Sequence, residues 1–344
     1  MKAAILTKLK EPLIIDDVDL PGPAHGQVLV KILYSGVCGS QLGEIEGVKG
    51  KDDYLPHLLG HEGSGIVEEV GSGVTRVKKN DAVVLHWRKG EGLESKPPKY
   101  GWRGKVLNAG WVTTFNEYAL VSENRLTAIP SDFDMAAAAL LGCAVTTGLG
   151  IINNDAKVKK GESVVIFGAG GVGLCAIQGA VLAGASPIVA IDLFDHKLAL
   201  AEKFGATHLI NSKDGKARQA VLAAVGAAGA DVVIDNTGNV GVIELSYELT
   251  QPRGRTILVG VPPAGAKVSI DTMPLHFGKI LTGSHGGGSN PSEDIPRCVK
   301  LAQAGRLKLD GMITDRFPLK DINQALDALR SGKAAGRVLI EVGR

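Results

Sequence analysis

A glycine-rich segment at residues 168–173 limits the possible fold of this 344-residue chain more than any other part of it. The segment has the spacing G-x-G-x-x-G, it follows the apolar run Val164–Phe167, and a helix-forming stretch follows it. A glycine turn between a strand and a helix lets the backbone approach a pyrophosphate at the positive end of the helix. Asp192, 19 residues after Gly173, stands where a carboxylate that binds a ribose 2′-hydroxyl is expected. The segment therefore predicts a dinucleotide-binding βαβ unit.

The same residues favour one dinucleotide over the other. The Asp192 carboxylate would repel a 2′-phosphate, and no arginine directly follows it, so we expect NAD rather than NADP. The alternative is a glycine turn that only packs a helix on a strand, but strand, turn, helix and acid all stand in register. The residues predicted to contact the cofactor here are Gly168, Gly170, Gly171, Val172, Gly173 and Asp192.

Apolar runs and helical stretches alternate after residue 163, with a helix predicted at 196–204. Continuous apolar strands that alternate with helices are typical of a doubly wound parallel sheet of the Rossmann type. The predicted strands are Val164–Phe167, 187–191, 207–210, 231–234, 256–259 and Ile280–Gly283.

Residues 2–130 instead contain short strands separated by Gly and Pro turns, which predicts a small, partly closed β-domain. A helix start is expected at 130–132, and a last strand at 337–342 is expected to return to the first domain. We therefore predict an α/β protein in which residues 1–146 and 286–344 form a β-rich catalytic domain. Residues 147–285 then form the NAD-binding Rossmann domain.

Charge and cysteine content exclude several classes of function. A formal charge of +2 argues against global attraction to nucleic acid or a membrane, and no run of 18 apolar residues predicts a membrane span. Near the N-terminus, Lys8, Lys10 and Glu11 interrupt any signal-peptide core. The four cysteines lie far apart and are better interpreted as buried thiols or metal ligands than as disulfides. We expect a cytoplasmic protein.

Three of the candidate metal ligands, Cys38, His61 and Cys143, are a poor zinc signature by spacing alone, because the chain has no C-x-x-C. Their sequence context, however, resembles the zinc-dependent medium-chain dehydrogenases, the alcohol dehydrogenase family. The resemblance runs over essentially the whole chain and implies a GroES-like fold for the β-rich domain. The segments that carry it are CGS at 38–40, GHEGSG at 60–65, GC at 142–143, the glycine turn at 168–173, Asp192, VGVPP at 259–263 and the stretch 316–332.

The resemblance implies a role for each matching residue. Cys38, His61 and Cys143 would hold a catalytic zinc with an open fourth position, and Glu62 would be a nearby or alternate carboxylate ligand. Ser40 would carry away the alcohol proton. The remaining implied contacts are Thr147, Val261 and Arg337 to the cofactor, at the nicotinamide for Thr147 and the pyrophosphate for Arg337, and His86 and Trp87 to the substrate. A surface salt bridge is an equal alternative for Arg337.

The implied activity is reversible hydride transfer from an alcohol, polyol or sugar-like hydroxyl to NAD, with zinc as the Lewis acid. The resemblance also implies a homodimer or homotetramer joined through the Rossmann domains, with residues 268–270 as an edge strand. A zinc-free NADPH reductase of the same fold would lack the Cys and His ligands and would carry a basic residue after the second strand. A non-catalytic NAD-binding regulator is the other alternative.

This chain departs from the family pattern at three places. Gln41 stands where a carboxylate commonly supports the histidine ligand, and Gly43 where some members have a proton-relaying His. Residues 86–111 lack the four cysteines of a structural zinc site, so we expect one zinc per chain.

The lobe at residues 86–111 has a composition of its own, with all three tryptophans and six basic residues against two acids. One hypothesis is that it binds a polar, anionic, sugar-like substrate through aromatic and cationic contacts. The alternative is a surface loop whose tryptophans form a small hydrophobic core in place of the metal.

Overall fold

The computed structural model describes residues 1–343, and these form two compact units. The first unit combines Met1–Cys143 with the C-terminal part that begins at Asn290, and the second is Ala144–Ser289. The division predicted after residues 146 and 285 differs from this one by three and four residues. No single helix within residues 1–343 is long and apolar enough to cross a membrane, although Met135–Gly142 and Ala144–Asp155 reach that length and composition as a bent pair.

The strands and helices are numbered in chain order. The strands are β1 Lys2–Leu6, β2 Ile14–Asp17, β3 Gln27–Val37, β4 His57–Leu58, β5 Glu62–Val70, β6 Ala82–His86, β7 Lys99–Trp102, β8 Lys105–Asn108, β9 Tyr118–Ser122, β10 Leu126–Ala128, β11 Val164–Phe167, β12 Ile188–Asp192, β13 His208–Asn211, β14 Ala230–Asp235, β15 Thr250–Leu258, β16 Ile280–Gly283, β17 Ile313–Pro318 and β18 Arg337–Glu341. The α-helices are α1 Gly39–Ile45, α2 Met135–Ala139, α3 Ala144–Gly150, α4 Gly171–Ala183, α5 Asp195–Lys203, α6 Ala217–Val225, α7 Val240–Leu249, α8 Pro291–Gln303 and α9 Ile322–Arg330.

Two sheets form the first unit. The larger has the order β10-β6-β5-β3-β18-β17, with β9 also paired to β3, and the smaller has the order β2-β1-β4-β8-β7. The C-terminal strand β18 lies antiparallel to β3, so the end of the chain completes the larger sheet. Alternating apolar residues of these strands, among them Val30, Ile32 and Val338, pack into one buried core. This burial of one sheet face is what holds the strands in register.

A parallel sheet forms the centre of the second unit, with the order β13-β12-β11-β14-β15-β16. Every residue of β11 is buried, as expected for a central strand that is covered on both faces. The glycine turn leads from β11 directly into α4. The predicted fold class, a GroES-like β-rich domain with a doubly wound Rossmann sheet, is confirmed.

Several predicted boundaries shift by one or two residues, but one predicted strand is wrong. Residues 268–270 form no strand, and the parallel sheet has β16 at this edge and β13 at the other. The Ser269 backbone N–H donates to the Glu244 side chain at 2.7 Å, so this N–H group is not available for pairing with another strand. The strand predicted at 256–259 begins earlier, at Thr250. The prediction missed its first residues because most of them are polar and do not have the pattern of an apolar strand.

Candidate metal centre and dinucleotide site

The pairing of β3 with β5 brings two of the predicted metal ligands together. Ser35 lies opposite Gly63 in this antiparallel pair, so the residue after β3, Cys38, lies close to the residue before β5, His61. The Ser35 hydroxyl donates to the Glu62 carbonyl at 3.2 Å and strengthens the same junction. Residues 23 positions apart in sequence thus meet because of strand register.

Cys143 reaches the same place from α2 and the short turn after it. A side chain at Gly142 would overlap the Leu85 carbonyl oxygen and would come within 3.0 Å of Glu62 Cβ, so this glycine packs directly on β5 and β6. Cys143 follows it and is 8% exposed. The glycine therefore lets the third candidate ligand approach the first two.

The three residues can hold a metal. Their ligand atoms all lie within 4.8 Å of one another, and they are the one such group of His, Cys, Asp and Glu among residues 1–343. The Cys143 side chain, followed by the His61 ring and Arg337, holds the pKa of the Cys38 thiol well below its usual range although burial opposes this. Two sulfurs, one of them with thiolate character, and one imidazole are a ligand set that Zn²⁺ prefers. The residues fit a zinc ion.

Two neighbouring side chains occupy Nδ1 of His61. Gln41 Nε2 is in hydrogen-bond contact with this nitrogen, and Ser40 Oγ lies 3.4 Å from it. Nε2 is therefore the ring nitrogen that remains for a metal. Ser40 is exposed, as a hydroxyl that passes a proton must be.

Glu62 and Arg337 form a buried ion pair in the first unit. Arg337 is 4% exposed, so the alternative of a surface salt bridge is wrong. A side chain at Gly36 would lie 2.6 Å from Glu62 Oε1, so this glycine makes room for the carboxylate. The roles predicted from the resemblance, a zinc ligand for Glu62 and a pyrophosphate contact for Arg337, stay predictions.

His86 does not line a pocket, and that prediction is wrong. The ring is 0% exposed, with Nδ1 placed 2.8 Å from the Arg88 carbonyl and Nε2 placed 3.0 Å from the Thr127 hydroxyl. The ring thus ties the end of β6 to the chain around it. Trp87 is partly exposed, with the Arg88 guanidinium 5.8 Å from its ring centre, and its substrate role stays a prediction.

Within the lobe, each tryptophan ring has a different arginine beside it. Arg103 lies 4.8 Å from the Trp102 ring centre, and Trp102 Nε1 donates to Asp16 at 2.9 Å. Arg125 lies 5.1 Å from the Trp111 ring centre.

Carboxylates already pair with at least two basic residues of the lobe. Arg103 pairs with Asp16 at 2.8 Å, and Lys89 pairs with Glu94. These pairs reduce the charge available to an anionic substrate, whose binding stays a prediction.

The glycine turn of the second unit has the geometry of a phosphate-binding loop. Gly168 has a positive φ of 87°, which favours glycine, and a side chain at Gly173 would overlap the Gly168 carbonyl oxygen. Asp192 accepts hydrogen bonds from the backbone N–H groups of Ala169, at 2.8 Å, and Phe194, at 3.1 Å. The carboxylate thus anchors the turn at the end of β12. Gly170 caps α4, and Gly171 and Val172 begin its first turn.

The two other predicted cofactor contacts also lie in this unit. Thr147 is buried in α3, whereas Val261, after β15, is 68% exposed. Asn236 and Thr237 pack against Gly168, and Asn236 Oδ1 has no hydrogen-bond partner among the described residues. Sequence reasoning missed these two residues, although a polar pair directly after β14 at the carboxyl edge of the sheet was a usable signal.

A parallel sheet with a glycine turn and a β-rich unit with a zinc-fitting centre define a metal-dependent, dinucleotide-binding oxidoreductase. Residues 24–131 match the alcohol dehydrogenase GroES-like domain family, and residues 171–304 match the zinc-binding dehydrogenase family. The chain is 34% identical to the class-3 alcohol dehydrogenase of Dictyostelium discoideum, over 98% of this chain and 97% of that protein. It therefore belongs to the zinc-dependent alcohol dehydrogenase family.

Other known proteins agree with this assignment. The S-(hydroxymethyl)glutathione dehydrogenase of Synechocystis is 35% identical over 98% of this chain and 99% of that protein. Benzyl alcohol dehydrogenase from Acinetobacter calcoaceticus has a similar structure, with a TM-score of 0.89, 29% identity and 99% coverage of both chains. The alcohol dehydrogenase of Aeropyrum pernix has a TM-score of 0.83 at 27% identity, over 99% of this chain and 100% of that one.

Replacing Arg337 by Met should leave the Glu62 carboxylate buried without its cationic partner. We expect the free energy of unfolding to fall by about 3–5 kcal/mol, because removing one partner leaves an uncompensated buried charge. Urea denaturation measures this. The control is Arg316→Met, which breaks a more exposed pair with Glu341 at 3.3 Å and should cost about 1 kcal/mol or less. Equal losses in the two variants would contradict a special role for the buried pair.

His86 should make stability depend on pH in a defined window. Burial lowers the pKa of His86 from 6.5 to about 4, so the unfolded chain takes up this proton first as the pH falls. The contribution is complete above pH 6.5 and is lost towards pH 4, by about 3 kcal/mol in total. We expect His86→Gln to remove this pH dependence, measured as the difference in unfolding free energy between wild type and variant. A difference that stays constant from pH 7 to pH 4 would refute the prediction.

Proposed function

We propose that this chain oxidises an alcohol, polyol or sugar-like hydroxyl to a carbonyl and transfers the hydride to NAD, in a reversible reaction. The observation that carries the proposal is the cluster of Cys38, His61 and Cys143, whose ligand atoms lie within 4.8 Å of one another. The names of the relatives, which are alcohol and S-(hydroxymethyl)glutathione dehydrogenases, support hydroxyl oxidation as the reaction.

Within this proposal, Cys38, His61 and Cys143 would hold one zinc per chain, and three protein ligands would allow a substrate oxygen to bind as the fourth. Bound zinc supplies Lewis acidity, which lowers the pKa of an alcohol hydroxyl towards neutrality. Ser40 Oγ accepts the hydroxyl proton and passes it on to solvent, to which this side chain is exposed. Glu62, the residue that follows His61, stays paired with Arg337.

The second unit binds the hydride acceptor. Backbone N–H groups at the start of α4 face the pyrophosphate, which is the usual anion site of a helix N-terminus. The Asp192 carboxylate, held by two backbone N–H groups, accepts the adenosine ribose hydroxyls and repels a 2′-phosphate. The position of the Asp192 carboxylate therefore favours NAD over NADP as the cofactor.

The zinc-free reductase is disfavoured because all three candidate ligands are present and adjacent. A non-catalytic regulator would not need a low thiol pKa at Cys38 beside an imidazole. The reductase predicts turnover that does not depend on zinc, and the regulator predicts no turnover at all.

Metal analysis combined with an NADH absorbance assay tests the proposal. We expect about one zinc per purified chain, and expect Cys38→Ala and His61→Ala to lose the metal together with at least about a thousandfold in kcat. Cys298→Ala, a change at a buried thiol outside the cluster, should keep both. The assay panel should contain primary alcohols, secondary alcohols and polyols. Zinc-free protein with full activity, or undiminished turnover by the Cys38→Ala, His61→Ala double variant, ends the proposal.

We further propose that the chain forms a homodimer, alone or as half of a tetramer, through the edge of its parallel sheet. Edge strand β16 offers unpaired backbone groups. Three apolar side chains here are exposed: Ile280 in β16, and Met273 and Phe277 shortly before it. Phe277 is 70% exposed. A second copy that covers this face would pair the backbone groups of β16 and bury the exposed apolar side chains. The cytoplasmic location stays a prediction.

Sedimentation velocity over a range of protein concentrations tests the dimer. Phe277→Asp should weaken association at least about tenfold, because it places a charge at the centre of an apolar contact. Val106→Asp is the matched control, since Val106 is an exposed apolar residue of the first unit and not part of the parallel sheet, and this variant should associate as wild type does. A wild-type chain that stays monomeric, or equal effects of the two substitutions, would exclude this interface.

A further inference from the structure

The Gln41 side chain connects two of the residues proposed as zinc ligands. It is 1% exposed. Its Oε1 accepts the backbone N–H of Cys38 at 3.0 Å, and its Nε2 contacts Nδ1 of His61. A single buried amide thus contacts two candidate ligands, Cys38 and His61.

The start of α1 fixes the orientation of this amide. Cys38 is the N-cap residue, with extended backbone angles of −115° and 152°, and Gln41 is the third residue of the helix. A glutamine at this position that accepts from the N-cap N–H forms half of a capping box and stabilises the helix start. The amide oxygen therefore points to Cys38, and the amide NH₂ points to His61.

This orientation conflicts with metal binding by His61. A neutral imidazole that binds a metal through Nε2 carries its proton on Nδ1 and must donate it to an acceptor. The amide NH₂ of Gln41 is a donor, so two donors then face each other. Rotating the amide by half a turn gives His61 its acceptor but places the NH₂ against the Cys38 N–H.

An amide has one oxygen, so either orientation leaves one of these two N–H groups without an acceptor. Ser40 Oγ, at 3.4 Å from Nδ1, is too distant for a strong bond. An unsatisfied donor that is partly buried costs free energy, and this cost falls on the metal-bound state alone, because in the metal-free state His61 can place its proton on Nε2.

We propose that Gln41 is a positioning residue that keeps the zinc affinity of this centre below the affinity that a carboxylate at position 41 would give, so that its occupancy depends on the zinc supply. The inference rests on the proposed zinc centre. A carboxylate at position 41 would remove the conflict, because each of its two oxygens can accept one N–H group.

The decisive variant is Gln41→Glu, which has the same size and replaces the amide NH₂ by an oxygen. We expect it to bind zinc about 10- to 100-fold more tightly than wild type, the usual effect of a residue that orients a metal ligand. The readout is the dissociation constant of Zn²⁺ from the full-length apoprotein, measured by competition with a chromophoric chelator at neutral pH. The measurement requires no turnover.

Two further variants separate hydrogen bonding from charge. Gly39→Glu adds the same charge in the first turn of α1, at an exposed position with no atom within 4 Å of the new Cβ, and should change zinc affinity only a few-fold. Gln41→Met keeps the length but has no amide. It should bind zinc within a few-fold of wild type, because the amide gives the bound state no net support.

The outcomes are distinct. A folded Gln41→Glu protein that binds zinc no more tightly than wild type overturns the inference, and so does equal tightening by Gly39→Glu. If Gln41→Glu does not fold, as judged by circular dichroism, then Gln41→Met decides. A tenfold or greater loss of affinity in Gln41→Met would mean that the amide supports the metal. A wild-type chain that binds no zinc at all refutes the proposed function itself.

Discussion

The antiparallel pairing of β3 with β5 is the constraint on which the metal centre depends. The register that places Ser35 opposite Gly63 also places Cys38 beside His61. The hydroxyls of Ser35 and Thr114, 2.6 Å apart, both bond to the Glu62 carbonyl and lock this junction with buried polar contacts. A slip of one residue would turn every side chain of β5 to the opposite face of the sheet, so core burial and ligand geometry are specified together.

Arg337 contributes positive charge to the charge balance around the centre. The Cys38 sulfur and the Glu62 carboxylate bring negative charge to this place, and Arg337 both pairs with Glu62 and favours the thiolate of Cys38. A metal ion would add the remaining positive charge. This arrangement explains why a buried arginine stands here, since an isolated charge in such a place is costly and a guanidinium can interact with several acceptors at once.

The second unit was largely predictable from the sequence, because its signals are local. The apolar strand Val164–Phe167, the glycine turn and Asp192 lie within 30 residues of one another, and the helix and strand between them follow from the same pattern. A local pattern also predicted the strand at 268–270, but there the Ser269 backbone N–H donates to the Glu244 side chain and no strand forms. The metal centre depends on strand register and on the close packing of Gly142, which spacing cannot reveal. Only the resemblance to a known family identified its ligands, and it gave no sign that His86 is buried.

The position of β18 between β3 and β17 has a consequence for how the protein is made. During synthesis the ribosome releases β3 before the parallel-sheet unit, and it releases β18 only after the whole of that unit. Until then β3 lacks one neighbour and Glu62 lacks Arg337. A nascent chain can therefore fold its parallel-sheet unit before the larger sheet of the first unit is complete, because that sheet must wait for β18.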